Sequence, residues 1–274
     1  MSILPHELET RAEFLKEMIH RTGLKARHLF ETRTPGLYTL KGHQDFLTEA
    51  DTFIEQEIKA AITEHFPSDA FMGEESSGEP SGEQLDGNAT WIVDPIDGTA
   101  NYARGIPHFC VCIAFIDHGK TLLGAIFNPC TEELYFTQRG KGAYKNAEAI
   151  QVAATRDFTT ATIEMGWSTH TVLRTYLNAQ AALLSHGANV RRGASGALAL
   201  AWVAEGRIDG YLEHHMYPWD SLAGLLLVRE AGGVTRPYLS LSGTLNKGGA
   251  VLAAAPHIAD SLTHYSQLEE LDIT

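Results

Sequence analysis

Residues 91–102, Trp-Ile-Val-Asp-Pro-Ile-Asp-Gly-Thr-Ala-Asn-Tyr, limit what the chain can fold into more than any other stretch. Trp91, Ile92 and Val93 favour a strand. Asp94-Pro95 is expected to stop it, because proline has no N–H for a ladder and holds the preceding residue extended. Two carboxylates, Asp94 and Asp97, then stand at a strand exit, with Pro95 fixing the bend so that both can point at one spot. Gly98 lets a ligand approach the backbone closely. A helix starting near Thr99 would turn its free N–H groups to the same spot, and such groups bind phosphate. Carboxylates and an anion-binding helix end can share a ligand only when a divalent cation lies between them, and hard oxygen donors of this kind suit magnesium. The stretch reads as a combined metal and phosphate site.

The remainder of the chain bounds what can surround that site. With 274 residues it can bury a large core and hold two subdomains, and its 44% hydrophobic and 20% charged content is that of an ordinary globular protein. Lys and Arg number 21 against 34 Asp and Glu, a formal charge of -13, so nucleic acid is not expected as a partner. A small anion would bind only where metal ions or N–H groups reverse the local sign. No apolar run approaches the roughly 20 residues of a membrane-crossing helix, and no membrane partner is expected. Cys110, Cys112 and Cys130 cannot form a full disulfide set, and no signal-like segment opens the chain, which points to a reducing compartment, the cytoplasm. Cys110 and Cys112 share one face of an apolar strand and read as core packing rather than a thiol nucleophile or metal pair.

Along the chain, Leu8, Ala12, Leu15 and Ile19 paint one face of an opening helix that runs on through Ala26 and Leu29. A second helix is expected from Thr48 until Pro67, with Ala50, Phe53, Ile54, Ile58, Ala61 and Ile62 at helical spacing. Residues 70–72 read as a short strand, and 77–87, rich in Gly, Ser, Glu and Pro, as a mobile surface loop. Residues 109–116, 121–127 and 133–137 read as an antiparallel meander, with turns at His118-Gly119-Lys120 and Asn128-Pro129 and another at Gly140 and Gly142. From about Ile150 short strands alternate with helices. The strands are at 161–165, 189–192, 210–213 and 250–254. One helix carries Leu173, Leu177, Leu183 and Leu184, a second is capped by Ser195, and a third runs from about Trp219 to Gly232-Gly233; the tail from His257 is helical too.

Four further features join the central motif: Glu74 at a strand end, Asp220 opening a helix, Asp51 in the first turn of the second helix, and Lys41 ahead of it. Gly73-Glu74-Glu75-Ser76, Asp94-Pro95-Ile96-Asp97-Gly98-Thr99, and Pro218-Trp219-Asp220 with Ala223-Gly224 and Glu230-Ala231-Gly232-Gly233 occur in that order. Together with Gly140-Lys141-Gly142-Ala143, they resemble the motifs of the inositol monophosphatase family across residues 41–255. Each acid alone has an ordinary explanation: Thr48-Glu49-Ala50-Asp51 fits a capping box, and Asp220 suits a helix start. Such explanations do not account for every ligand standing in family order.

The resemblance implies magnesium-dependent hydrolysis of a small phosphate monoester by direct attack of water, with lithium inhibition. By that similarity Glu74, Asp94 and the carbonyl of Ile96 hold one metal and Asp94, Asp97 and Asp220 a second, while Glu74 helps a third through water, giving two or three Mg2+ ions. Thr99 with Asp51 orients and deprotonates the attacking water, and Glu74 joins them as a catalytic group. Asp97, Gly98, Thr99, Ser195, Gly196, Glu213 and Asp220 contact substrate, and Lys41 is an accessory group near the metal water. Two positions depart from the family pattern: Ala194 stands where glycine is usual, and Gly196 where alanine is common. His214, His215 and Tyr217 carry no diagnostic signal and are left out of the site.

The resemblance also implies an α+β fold, a layered αβαβα sandwich with a mixed, mostly antiparallel sheet. An N-terminal half, 1–148, would carry most metal ligands, and a smaller α/β half, 149–274, the substrate residues and Asp220. A homodimer is implied as well. Three functions compete: an inositol monophosphate phosphatase, the same chemistry on histidinol phosphate or a sugar bisphosphate, and a regulatory binding protein on the same scaffold. Glu213 could accept hydrogen bonds from ring hydroxyls or attract the amino group of histidinol phosphate.

Overall fold

The computed structural model describes residues 3–34, 36–42, 45–76, 89–240 and 243–268; the loop expected at 77–87 lies outside the described residues. The chain begins with α1 (Pro5–Thr32), the hairpin β1 (Thr39–Gly42) and β2 (Asp45–Leu47), and α2 (Glu49–His65). Next come β3 (Ala70–Gly73), β4 (Thr90–Asp97), the short α3 (Thr99–Arg104), β5 (Cys110–Asp117), β6 (Lys120–Asn128), β7 (Glu133–Gln138), β8 (Ala143–Lys145) and β9 (Glu148–Ala149). The later part holds β10 (Thr162–Met165), α4 (Leu173–Ser185), β11 (Asn189–Arg191), α5 (Gly196–Ala204), β12 (Gly210–Met216) and α6 (Pro218–Glu230). It ends with β13 (Val234–Thr235), α7 (Thr244–Lys247), β14 (Gly249–Ala254) and α8 (Ala259–Ser266).

The strands β3 to β9 lie side by side in sequence order in one sheet. Only the β3–β4 pair is parallel and every later pair is antiparallel; β4 reaches β5 through α3, and short turns join the neighbours from β5 onward. The β5–β6 turn is the tight pair His118-Gly119, both with positive φ, which suits the twist of a two-residue hairpin. A second sheet has the order β11-β10-β12-β14-β13, parallel at its first two joints and antiparallel at the others.

Alternation along each strand decides the layers. On β4 and β5, Trp91, Val93, Val111, Ile113 and Phe115 turn to α1 and α2, packing on Leu15, Ile19, Ile54 and Ile58. Their neighbours Ile92, Cys110, Cys112, Ala114 and Ile116 face the opposite way, onto α5 and α6 and, beyond them, Tyr211, Val251 and Ala253 of the second sheet. That sheet's outer face, with Ile163, Met165, Leu212 and Leu252, is covered by α4 and α8. The order is helix, sheet, helix, sheet, helix, the expected αβαβα sandwich. Helices α5 and α6, buried between two sheets, are apolar nearly all round, as a two-sided burial requires. Small residues let them in: a Cβ on Gly124 of β6 would lie 2.9 Å from the Ala223 backbone, and one on Gly224 would lie 2.5 Å from Leu200.

One expectation needs correction. Asp94-Pro95 does not end the strand; β4 runs on to Asp97. Its partner β3 stops at Gly73 opposite Val93, so beyond that point one side of β4 has no paired strand among the described residues, and Pro95 falls within a register irregularity against β5 between Asp94 and Asp97. A bulge on a one-sided strand tolerates the missing N–H. The short elements β1, β2, β8, β9, β13 and α7 carry too little periodicity to be read from the sequence.

Candidate active site

The bulge builds the site. Between the pairs Asp94–Cys112 and Asp97–Cys110, β4 carries one residue more than β5, which swings both acids to the sheet's end. Asp94 Oδ1 accepts the Ile96 N–H at 2.8 Å and so locks the bend. Gly98 follows in the left-handed region, φ 100°, leading into α3; a Cβ there would be 3.0 Å from the His108 carbonyl. Asp220 arrives from the first turn of α6. One carboxylate oxygen from each of Asp94, Asp97 and Asp220 lies within 4.8 Å of the others, making a candidate metal cluster among the described residues.

Asp97 has a second task. Its Oδ2 accepts the Ser195 hydroxyl at 2.6 Å and the Ala197 N–H at 2.8 Å, and its Oδ1 the Gly196 N–H at 3.3 Å. Ser195 therefore does not cap α5 with its own side chain, as the sequence suggested; a carboxylate from the other sheet does so in its place. The two departures from the family pattern find physical settings here. Ala194 adopts φ 61°, where glycine is the unstrained choice. Gly196 leaves room for Met216 and Tyr211, whose side chains would lie 2.5 and 2.8 Å from a Cβ.

Burial drives the carboxyl groups upward. Asp94 is pushed well above 3.8, first by burial and then by Glu74, Asp220 and Asp97; Asp220 likewise, by burial and then Asp97. Asp97 is also raised by burial, against the lowering effect of its donors Ser195, Ala197 and Gly196. Three hard oxygen donors with more negative charge than their surroundings neutralise fit a divalent cation such as magnesium.

Asp51 combines the two roles weighed from the sequence. Its Oδ2 accepts the Thr48 N–H at 2.8 Å, closing the capping box, while Oδ1 accepts from Thr99 Oγ1 at 3.1 Å. The Ile96 carbonyl is a second acceptor for that hydroxyl, at 2.8 Å. Burial raises Asp51 to about 6. Glu74 is raised to about 7, by burial first, with Lys41 pulling the other way. Glu74 stands apart from the three-acid cluster: Lys41 Nζ lies 3.1 Å from Glu74 Oε1 and 2.9 Å from Glu75 Oε1, and the Glu74 side chain keeps 22% of its surface exposed.

Several of these groups border one cavity of 290 Å³, whose wall includes Glu74, Asp97, Gly98, Thr99, Ser195, Gly196, Glu213 and Asp220. Glu213, which accepts the Tyr211 hydroxyl, is raised to about 7 by burial. The cavity adjoins a cleft of 1230 Å³ that also reaches Lys41. Sequence reasoning missed part of that cleft. His215 and Tyr217 line it with Trp167 and His170, whereas His214 is buried against the Ser266 carbonyl, at 3.1 Å. A usable signal existed: along β12, His215 is two residues from Glu213 and shares its face, while His214 falls on the other.

Comparison with known proteins gives concordant results. A family model described as the inositol monophosphatase family matches residues 7–270. The chain is 36% identical over 237 residues to an inositol-1-monophosphatase of Rhizobium meliloti, covering 84% of this chain and 85% of that one. It is 35% identical over 248 residues to Nus factor SuhB of Escherichia coli, covering 88% and 91%. The crystal structure of extragenic suppressor protein suhB from Bartonella henselae superposes with a TM-score of 0.83 at 32% identity, over 92% of this chain and 96% of that one. A match that spans the layered fold from α1 to α8, and includes every acid of the cluster, makes this chain a member of the inositol monophosphatase family.

Proposed function

We propose that the protein is a magnesium-dependent phosphomonoesterase whose substrate is inositol monophosphate. The observation that carries this reading is the cluster of Asp94, Asp97 and Asp220 beside a cavity whose wall includes Asp97, Asp220, Glu213 and Thr99, the last with its hydroxyl bonded to Asp51. Asp94, Asp97, Asp220, Glu74 and the Ile96 carbonyl would hold two or three magnesium ions. Bound there, magnesium lowers the pKa of water, screens the phosphate and stabilises the leaving oxygen. Thr99 Oγ1 orients the attacking water and relays a proton to Asp51 Oδ1, a carboxylate that burial has moved to about 6, towards the range useful to a general base. The amides of Gly98 and Thr99, at the wall of the same cavity, would bind phosphate oxygens.

Substrate choice rests on Ser195, Gly196, Glu213 and Asp220, because the phosphate end is common to every candidate. The test is phosphate release from inositol 1-phosphate, histidinol phosphate, fructose 1,6-bisphosphate and a generic aryl phosphate, with wild type and Glu213→Gln. The variant is expected to lose roughly 1 to 3 kcal/mol of kcat/KM on inositol phosphate, the scale of a spoiled buried polar contact, and less on the aryl ester. A much higher kcat/KM for histidinol phosphate, or an equal loss on all substrates, would remove the inositol assignment.

The proposal extends to a homodimer, which the family resemblance implies, in the cytoplasm, which the cysteine usage favours; sedimentation as a monomer at micromolar concentration would contradict the dimer. A second reading, a regulatory binding protein, is favoured by the relative named a Nus factor, and on its account the expectation that nucleic acid is no partner is not carried forward. A protein that binds RNA and releases no phosphate from any ester would support that reading over hydrolysis.

A further inference from the structure

Two buried glutamates outside the ligand set each hold backbone next to the site, and Glu164 is also in the wall of the 290 Å³ cavity. Glu55, 3% exposed, sits on α2 one turn beyond Asp51, and its Oε2 accepts the Glu75 N–H at 2.8 Å. Glu164, 2% exposed, sits on β10, and its Oε1 accepts the Gly193 N–H at 2.8 Å. In each case a glycine makes room. A Cβ on Gly73 would lie 2.2 Å from Glu55 Oε2, and one on Gly193 would lie 2.6 Å from Glu164 Oε1.

Each carboxylate holds a turn that presents part of the site. The first turn carries Glu74, whose own N–H is tied back to the Val93 carbonyl at 3.1 Å. The second leads through Ala194, in its left-handed conformation, to the Ser195, Gly196 and Ala197 donors on Asp97. Asn101 Nδ2 braces that turn from the far side, 2.9 Å from the Gly193 carbonyl. Arg191, the register partner of Glu164 on β11, places Nε 3.3 Å from Glu164 Oε2.

A buried carboxylate is costly unless it is paired and hydrogen-bonded. Both glutamates spend a hydrogen bond on a backbone amide one or two residues from a group of the site, the relation in which outer partners orient metal ligands. We propose that Glu55 and Glu164 are positioning residues, Glu55 aiming Glu74 and Glu164 fixing the grip on Asp97. The inference rests on the magnesium site proposed above.

The test is calorimetric titration of magnesium into wild type, Glu55→Ala, Glu164→Ala and Glu55→Gln, with thermal melts of the metal-free proteins. Each alanine variant is expected to bind magnesium roughly 10- to 100-fold more weakly. Glu55→Gln, which keeps a carbonyl to accept the Glu75 N–H, should recover most of that loss. Should an alanine variant fail to fold, Glu→Met at the same position removes the acceptor while filling the space. Hydrogen exchange of the wild type gives an independent reading, in which the Glu75 and Gly193 amides are protected. Wild-type magnesium affinity in folded alanine or methionine variants, equal loss in Glu55→Gln and Glu55→Ala, or rapid exchange of those two amides would overturn the proposal while leaving the phosphatase reading intact. A wild type that takes up no magnesium overturns both.

Discussion

Asp94→Asn is expected to lower turnover by roughly a thousandfold or more, about 4 kcal/mol of transition-state stabilisation, while the fold survives. Asp94 is buried among the other acids: it is 1% exposed, it lies in the cluster with Asp97 and Asp220, and Glu74 acts on its charge as well. An amide keeps the shape and can still accept the Ile96 N–H, but it brings no charge to either proposed metal position. The metal-free melt should move the other way. Burial and its acidic neighbours raise Asp94 above 3.8 in the folded state. A group raised in this way supports the fold below its unfolded value, and that support is lost as the pH climbs through the raised value. At neutral pH the metal-free wild type therefore carries mutual repulsion that the amide relieves, so Asp94→Asn should melt at the same temperature or higher. The wild type should close the gap as the solution is acidified towards pH 4, and magnesium at a hundred times its Kd should stabilise it by about 2.7 kcal/mol and the variant by less. Undiminished turnover in Asp94→Asn would place the chemistry elsewhere.

Asp69→Ala should have the largest effect on stability, roughly 3 to 5 kcal/mol. The Asp69 side chain is 2% exposed and the Arg11 side chain 8%. Arg11 meets both carboxylate oxygens, Nη2 at 2.7 Å from Oδ1 and Nε at 2.8 Å from Oδ2, and Trp91 Nε1 donates to Oδ2 at 2.9 Å. These contacts tie α1 to the start of β4, the strand that carries Asp94 and Asp97. Alanine would leave a guanidinium buried without its counter-charge and an indole N–H without its acceptor. At about 2 to 4 °C per kcal/mol for a chain approaching this size, the midpoint should fall by roughly 6 to 20 °C. Turnover per folded molecule should change little, since Asp69 touches nothing in the cavity. A shift of a degree or less would show that the pair contributes no net stability.

Much of this structure was legible from local rules. Helical spacing marked α1 and α2, alternation marked the meander from β5 to β7, and the capping box at Thr48 marked the start of α2. The layered arrangement came from the motif resemblance, because which face of a strand meets which helix depends on contacts between residues distant in sequence. Asp94 and Asp97 were visible because their spacing around Pro95 is local, yet the bulge that aims them needed the end of β3 and the register of β5. Asp97 as the cap of α5 was invisible, since Ser195 satisfies the local cap rule by itself and the actual acceptor lies 98 positions earlier. Glu55 and Glu164 were missed for the same reason: each looks like an ordinary charge until its amide partner is seen.

Magnesium dependence is read from phosphate release from inositol 1-phosphate as the ion is titrated into metal-stripped protein, with parallel samples in excess chelator and in lithium. A magnesium-dependent phosphatase shows no release above background without magnesium, a saturable rise as the ion is added, loss on chelation and inhibition by lithium. Full release in excess chelator would contradict that dependence.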